Sequence, residues 1–239
     1  MTNVGEHLFK QYDQELESLR TRILHMGGMV EAQLQSAIDG YERPDAKLAE
    51  EAIEIDRSVN GQQVELDGLV VNMIVRRQPT ANDLRLIIGV ARTVTELERI
   101  GDEATKIARA AKWLFDKQRN IRTPRLREIH SSALAAARML RGALDAFARM
   151  DAAAAAAIIE EDRGVDQQFQ SILRQLITFM MEDPRTISPS LDAVWVAKAI
   201  ERIGDHAKNI AEHVIFVAQG ADVRHATPEQ VARAVSSQE

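Results

Sequence analysis

Glu-Arg-Ile-Gly-Asp stands at residues 98–102 and again at residues 201–205, with glycine at the same place in both copies. A second pair of strings also points to a duplication, because Asp-Arg-Ser-Val-Asn at 56–60 resembles Asp-Arg-Gly-Val-Asp at 162–166. The two offsets, 103 and 106 residues, are nearly equal. Since an internal repeat sets the architecture of a chain, these strings predict two related units of about 110 residues each.

The composition favours an all-α protein. Apolar residues make up 45% of the chain and aromatic residues only 4%. Alanine, leucine, glutamate and arginine predominate, and these residues enter helices at low cost. We predict six long helices, and the short connections between them make neighbouring helices antiparallel. The predicted helices run over about 6–41, 45–77, 80–117, 124–150, 151–182 and 188–217.

The repeat and the helix count together predict two tandem three-helix bundles. The first bundle is expected over residues 1–118, the second over 119–220, and a C-terminal tail over 221–239. Pro124 suits the first turn of the fourth helix, and Asp151 suits the N-cap of the fifth. Within the tail, Thr227 and Pro228 are expected to begin one short helix.

Several classes of function are disfavoured by composition. Cysteine is absent, so disulfides, thiolate metal sites and cysteine nucleophiles are excluded. The net charge of −6 argues against a general nucleic-acid binder, which needs a broad basic surface. The first residues lack the pattern of a signal peptide, and no apolar run is long enough to span a bilayer. A cytoplasmic protein with no membrane span is therefore expected.

Acidic residues recur four positions apart, a spacing that places both side chains on one face of a helix. The candidate pairs are Asp56 with Asn60, Glu98 with Asp102, Asp162 with Asp166, and Glu201 with Asp205. The two pairs of each repeat are expected to converge on the outward seam where antiparallel helices meet. Carboxylates brought that close repel one another unless a cation neutralises them. Oxygen-only donors suit hard ions such as Mg²⁺, Ca²⁺, Mn²⁺ or oxidised iron.

A solvated helix face is the alternative interpretation of these acidic pairs, because such pairs are common on surfaces. Retention of the same string in both halves favours the cation site. A glycine inside a helix costs about 1 kcal/mol relative to alanine. Gly101 and Gly204 therefore predict a close approach to the backbone, by a tight helix crossing or by a bound ion.

The apolar pattern predicts which faces of the two repeated helices are buried. The predicted stripes are Leu97, Ile100, Ala104, Ile107, Ala108 and Ala111 on the third helix, and Ile200, Ile203, Ala207, Ile210, Ala211 and Val214 on the sixth. His206 and His213 fall away from the carboxylates and are interpreted as surface residues. Trp113 and Trp195 are interpreted as packing anchors.

From about residue 9 to residue 225, the chain resembles the PhoU family of bacterial phosphate-transport regulators. The strings that carry the resemblance are Glu-Leu-Glu-Ser-Leu-Arg at 15–20, Met-Gly-Gly-Met-Val-Glu at 26–31, Arg-Gln-Pro-Thr at 77–80, Asp-Leu-Arg at 83–85, Phe-Ala-Arg-Met-Asp at 147–151, and both Glu-Arg-Ile-Gly-Asp copies. The resemblance implies two three-helix bundles and a non-enzymatic role. That role is to keep the phosphate-starvation response off when phosphate is plentiful.

The resemblance also implies partners and a metal. The implied partners are the ATPase subunit of an ATP-driven phosphate importer and a membrane sensor histidine kinase, which would recruit a homodimer peripherally to the inner membrane. Some family members carry metal on paired Glu/Asp-xxx-Asp motifs, with iron, manganese, magnesium and zinc as candidate ions. The first repeat departs from that pattern at Asn60, which adds no charge, so its site is expected to be weaker or empty.

Two other functions stay open from the sequence. A carboxylate-bridged di-metal enzyme would need Glu-x-x-His motifs inside a helical bundle, and none of the six histidines stands three residues after a glutamate. A helical scaffold without any ligand would leave the acidic pairs as solvated surface.

Overall fold

The structure, a computed structural model, describes residues 4–117 and 127–236, with side chains described from residue 11 onward except that of Lys117. The described residues form seven α-helices, one short 3₁₀ turn at Pro184–Thr186 and no strands. The helices are α1 (Val4–Glu42), α2 (Ala46–Arg77), α3 (Ala81–Lys117), α4 (Arg127–Arg149), α5 (Ala152–Glu182), α6 (Ile187–Gln219) and α7 (Pro228–Ser236). The all-α prediction is confirmed. The predicted bundle boundary at 118/119 and the predicted helix start at Pro124 lie outside the described residues.

The helix ends follow from local chemistry. The Asp45 carboxylate accepts hydrogen bonds from the backbone N–H groups of Lys47 and Leu48, at 2.8 and 3.3 Å, and so caps α2. Asp151 caps α5 as predicted, by accepting from the Ala154 N–H at 2.9 Å. Gly220 ends α6 with φ of 70°, a left-handed conformation that glycine adopts at low cost.

Two sets of three helices pack side by side. Helices α1, α2 and α3 contact one another, and α4, α5 and α6 form an equivalent set. The two sets meet where α3 packs along α6, with a smaller contact between α1 and α4. The predicted tandem three-helix bundles are confirmed, and α3 and α6 lie at the centre of the molecule.

The predicted apolar stripes of α3 and α6 are buried throughout, with no member more than 1% exposed. Removing this apolar surface from water is the main source of stability for such a fold, at roughly 25 cal/mol per Å². The glutamates, lysines and arginines of both helices are left to lie along the edges of the stripes.

Charged and polar side chains are also buried where α3 meets α6. The Glu96 carboxylate lies 2.7 Å from Nδ1 of His206 and accepts a hydrogen bond from Asn209 at 3.1 Å. Seven residues further along α3, Glu103 pairs with Arg202 at 3.0 Å. Burial raises the pKa of Glu96, but the hydrogen bonds from His206 and Asn209 outweigh it and leave the pKa below 4.5.

The interpretation of His206 and His213 as surface residues is wrong, because they are 7% and 6% exposed. Helix α6 contacts α3, α4, α5 and α7, so little of its circumference reaches solvent. The interpretation of Trp195 as a packing anchor is also wrong, because its side chain is 72% exposed. It continues a solvent-facing row with Ile187 and Leu191 at four-residue spacing.

The segment predicted as a C-terminal tail is packed against the second bundle over its described part. Val223 and Val231 are 4% and 5% exposed, and α7 contacts both α5 and α6. The predicted short helix begins at Pro228, and its entry is held by Thr227. The backbone N–H of Thr227 donates to Gln230 at 2.8 Å, and the Gln230 N–H donates to the Thr227 hydroxyl at 3.4 Å.

We expect His206→Ala to lower the free energy of unfolding by about 3 kcal/mol, because Glu96 would lose a partner while staying buried. Since the pKa of Glu96 lies below its usual value, this contribution is present above about pH 4.5 and is lost as the pH falls through the folded pKa. Urea unfolding at pH 7 and pH 4 measures both effects. His25→Ala, at an exposed histidine of α1, is the control. Equal stability of the two variants at pH 7 would contradict the prediction.

Candidate metal centre

The second repeat brings three aspartates together on its outer seam. Helix α5 supplies Asp162 and Asp166, and helix α6 supplies Asp205. One carboxylate oxygen from each lies within 4.8 Å of the others. Asp162 is 3% exposed, Asp205 is partly buried and Asp166 is exposed, so the cluster opens to solvent on one side. Oxygen atoms at this spacing fit the ligand set of one hard cation.

The electrostatics of this cluster favour a positive charge. Burial raises the pKa of Asp205 to about 6, and the charges of Glu201, Asp162 and Asp166 add to the effect. Burial also raises the pKa of Asp166, with Asp162 and Glu201 contributing. The carboxylates therefore destabilise one another, and a bound cation would remove that repulsion.

Two lysines partly neutralise the second repeat, and the sequence interpretation missed both. Lys208 donates to one oxygen of Asp162 at 2.9 Å, and Lys198 donates to both oxygens of Glu201 at 2.5 and 2.6 Å. Glu201, one of the predicted ligands, is therefore ion-paired and is not among the three carboxylates that lie within 4.8 Å of one another. The three-residue spacing of Lys198 and Glu201 was a usable signal, because such residues are neighbours on a helix.

The first repeat is organised differently, around a glutamine. Gln33 of α1 is fully buried, and the two N–H hydrogens of its side-chain amide are shared among three acceptors: Asp56 at 3.1 Å, the Gly101 carbonyl at 3.0 Å and the Thr105 hydroxyl at 3.1 Å. The other oxygen of Asp56 accepts from the Asn60 amide at 3.4 Å. Both Asp56 oxygens thus already have donors supplied by the protein.

Glu98 and Asp102 lie on α3 beside this network. Burial raises the pKa of Glu98, and the charges of Asp102 and Asp56 raise it further. The three carboxylates therefore lie close enough to repel one another. In the part of the chain that the structure describes, only the second repeat gathers three carboxylates closely enough for one ion. Gln33 could have been suspected from sequence, as a polar residue within the buried row Val30, Leu34 and Ala37.

Comparison with protein-family models matches the chain to the PhoU domain. It matches twice, at residues 23–111 and 129–214, once in each half of the repeat. The chain belongs to the PhoU family.

PhoU-family relatives match along nearly the whole chain. The phosphate-specific transport system accessory protein PhoU of Escherichia coli strain K12 is 46% identical over 223 residues, covering 93% of this chain and 91% of that protein. The corresponding PhoU homolog of Pseudomonas aeruginosa is 44% identical over 224 residues, with the same coverage.

Two solved structures share the fold. The crystal structure of PhoU from Pseudomonas aeruginosa superposes with a TM-score of 0.85 at 43% identity, covering 88% of this chain and all of that one. The phosphate transport system regulatory protein PhoU from Streptococcus pneumoniae gives 0.81 at 25% identity, covering 89% and 99%. These names describe accessory and regulatory proteins, in agreement with a regulatory role in phosphate transport. Among the helices that the structure describes, none has the length and apolarity of a membrane span.

The two repeated glycines are expected to differ in their tolerance of alanine. A Cβ at Gly101 would lie 3.0 Å from Oε1 of Gln33, a side chain whose amide nitrogen is held among three acceptors. A Cβ at Gly204 would make ordinary contacts, the nearest at 3.4 Å from Val165. We expect Gly101→Ala to cost about 1–3 kcal/mol of unfolding free energy. Gly204→Ala is expected to be neutral or to stabilise by up to about 1 kcal/mol.

Thermal and urea unfolding of the two variants side by side measures the difference. Each glycine is the other's matched control, since both occupy the fourth position of the same five-residue string. Equal effects on stability would show that Gln33 yields easily and that the close contact at Gly101 is unimportant.

Proposed function

We propose that the chain is a non-enzymatic cytoplasmic adaptor and negative regulator of the phosphate-starvation response, contributing to phosphate homeostasis. In this role it links the ATPase subunit of the phosphate importer to a membrane sensor histidine kinase, and those partners recruit it to the inner membrane. The observation that carries the proposal is the tandem PhoU fold with 46% identity, over 93% of the chain, to a phosphate-specific transport accessory protein. The sensor kinase is proposed as a partner from the family resemblance.

The chemistry of the second repeat supports a bound cation as part of the proposal. Asp162, Asp166 and Asp205 provide oxygen donors around one point, and Glu201 adds negative charge nearby. Such donors favour Mn²⁺, Mg²⁺ or iron over a structural zinc, which prefers sulfur and nitrogen. When bound, the ion would tie α5 to α6 and offset the repulsion among the aspartates.

The four predicted ligands of the first repeat are proposed as the weaker site. They are Asp56, Asn60, Glu98 and Asp102. Gln33 and Asn60 already donate hydrogen bonds to Asp56, so a cation would have to displace a satisfied interaction. We also propose that the chain divides into a first bundle over residues 1–118, a second bundle over 119–220 and a C-terminal segment over 221–239.

The adaptor is favoured over the alternative of a carboxylate-bridged di-metal enzyme. The second-repeat cluster is made of three aspartates with no histidine, whereas catalytic sites of that type in helical bundles use Glu-x-x-His motifs. The names of the relatives also describe accessory and regulatory proteins.

A homodimer is also proposed. Val71 and Val75 on α2 are 60% and 70% exposed, and the residues 106 positions later on α5, Ile177 and Met181, are 44% and 81% exposed. Apolar side chains left in solvent at equivalent positions of both repeats support association with a protein surface. Light scattering coupled to size-exclusion chromatography measures the mass, and a monomer at micromolar concentration would contradict this part.

Asp205→Asn is expected to have opposite effects on stability and on cation binding. With chelator at pH 7.5 the amide removes a repelled charge, and we expect a gain of about 1–2 kcal/mol after discounting for solvent screening. Because burial and neighbouring carboxylates raise the pKa of Asp205 to about 6, the unsubstituted chain gains this stability as the pH falls through 6 toward 4. The variant should lack that gain.

The same variant should bind Mn²⁺ about tenfold more weakly or worse, since one charged ligand is lost. Calorimetric titration after chelator treatment measures the affinity. Asp67→Asn, at an exposed aspartate of α2, is the control for loss of one negative charge. An unchanged Mn²⁺ affinity in Asp205→Asn would remove this residue from the proposed site.

The adaptor role is tested by capture from membranes. The tagged full chain is incubated with detergent-solubilised membranes from cells grown with abundant or scarce phosphate, and bound proteins are identified by mass spectrometry. We expect enrichment of the importer ATPase and the sensor kinase relative to an unrelated tagged helical protein of similar charge. Failure to enrich either partner under both conditions would defeat the proposal.

A further inference from the structure

A polar cleft of about 780 Å³ lies directly beside the aspartate cluster. Four parts of the chain form its walls: α3, α5, α6 and the segment 220–236. Asp162 and Asp166 line one side of it. A space of this size accommodates a small ligand, and such clefts are the usual places for ligands when convergent polar groups line them.

Each wall of the cleft contributes one permanent cation: Arg92 from α3, Arg163 from α5, Lys208 from α6 and Arg224 from the C-terminal segment. Arg92 lies over the ring of Phe216, 5.1 Å from its centroid, and no carboxylate of the described residues lies within salt-bridge distance of it. The Arg224 guanidinium is held in a fixed orientation by Asp222. Guanidinium groups match the geometry of oxyanions, but the Nε and Nη2 of Arg224 already bind Asp222, so Arg92 is the less committed of the two arginines.

A buried histidine in the same cleft lacks a partner. His213 is 6% exposed, and its Nδ1 makes no hydrogen bond. Burial lowers the pKa of His213 to about 4, so the ring is neutral near pH 7 and has one N–H to donate. An unpaired polar atom in the interior costs free energy, which a ligand with acceptor oxygens would recover.

The acids that line the cleft outnumber its permanent cations, and Asp222 beside the cleft also pairs with Arg224. The acids that line it are Glu96, Glu160, Asp162, Asp166 and Glu212, against the four cations. Three of these acids are already paired, Glu96 with His206, Glu160 with Arg163 and Asp162 with Lys208. Burial raises the pKa of Glu212 to about 7, so this side chain is partly protonated. The cleft alone therefore gives no strong preference for an anion, but a divalent cation on the aspartates would add two positive charges to one wall.

We propose that this cleft binds a phosphate-type oxyanion together with the divalent cation of the aspartate cluster, with Arg92 as the principal charged contact. The inference rests on the cation site of the proposed function. A tetrahedral dianion matches the guanidinium groups, compensates the added cation and accepts from neutral donors such as His213 and Asn209. Free orthophosphate and the phosphoryl group of a metabolite share this chemistry. The site would give the adaptor a direct means of responding to cytoplasmic phosphate.

The proposal requires reciprocal coupling, because each ligand must raise the affinity of the other by the same factor. The chelator-treated full chain is titrated with Mn²⁺, and the free ion is followed by electron paramagnetic resonance in buffer alone, with orthophosphate and with glycerol 3-phosphate. We expect a phosphate compound to tighten Mn²⁺ binding by about 5- to 100-fold. Radiolabelled orthophosphate should be retained in equilibrium dialysis only when Mn²⁺ is present, if the free anion is the ligand.

Arg92→Gln should abolish the enhancement while leaving Mn²⁺ affinity in plain buffer unchanged. Arg109→Gln, at an exposed arginine of α3 outside the cleft, should keep the enhancement. If Arg92→Gln lowers the melting temperature, Arg224→Gln serves as the second variant, since it acts from another wall.

The outcomes separate the two proposals. Enhancement by glycerol 3-phosphate alone supports the shared chemistry and assigns the site to a phosphoryl metabolite. Mn²⁺ binding that neither phosphate compound changes overturns the inference and leaves the cation site standing. A chain that binds no Mn²⁺ overturns both, whereas the adaptor role is decided independently by capture of its partners.

Discussion

The packing of α3 along α6 governs the rest of the molecule, because it buries charged groups that must find partners. Glu96 and Glu103 are both inside this contact, and a carboxylate there is tolerated only when it is hydrogen-bonded and paired. His206 and Asn209 contact the Glu96 carboxylate, and Arg202 and Lys106 pair with the Glu103 carboxylate. These pairings fix how the two bundles lie against each other. They also fix the outward direction of the acidic residues on the same two helices.

Helices α3 and α6 are equivalent elements of the two repeats, but the side chains that meet between them differ. Glu103 and His206 stand 103 positions apart, at equivalent places in the two repeats, so one copy carries an acid where the other carries a base. Two identical copies would place like groups in the same interior, at a cost in free energy. Divergence at these positions therefore let two related bundles bury their central helices against each other.

The two outer seams also differ between the repeats. The position of Asp166 is Asn60 in the first repeat, and the position of Lys208 is Thr105. In the first repeat Thr105 accepts from Gln33, and the amide group of Gln33 takes the place beside Asp56. In the second, Lys208 binds one oxygen of Asp162, while an oxygen from each of Asp162, Asp166 and Asp205 lies within 4.8 Å of the others. The first-repeat seam is therefore a hydrogen-bond network around Gln33, in which Oε1 of Gln33 and Oδ1 of Asn60 have no partner, whereas the second-repeat seam is an open anionic cluster.

Sequence reasoning identified what depends on local periodicity and on the repeat. The predicted helices, the caps at Asp151 and Thr227, and the apolar stripes of α3 and α6 all follow from patterns within a single helix. His206, His213, Gln33 and Lys208 were missed because the groups around them come from other helices, up to about 110 residues away in sequence. The Lys198–Glu201 pair lies within α6 and was missed although its spacing is local. A helical wheel shows which side of α6 is apolar, but it does not show that α3, α4, α5 and α7 enclose the polar side as well.

The contact between Gln33 and Gly101 ties two distant positions to each other during evolution. A larger residue at Gly101 would press against Oε1 of Gln33, and a shorter residue at Gln33 would remove one of the two donors to Asp56. Among homologues, these three positions should therefore covary as a group. The equivalent glycine of the second half, Gly204, has room for an added methyl group, so alanine should appear there without a change in its neighbours.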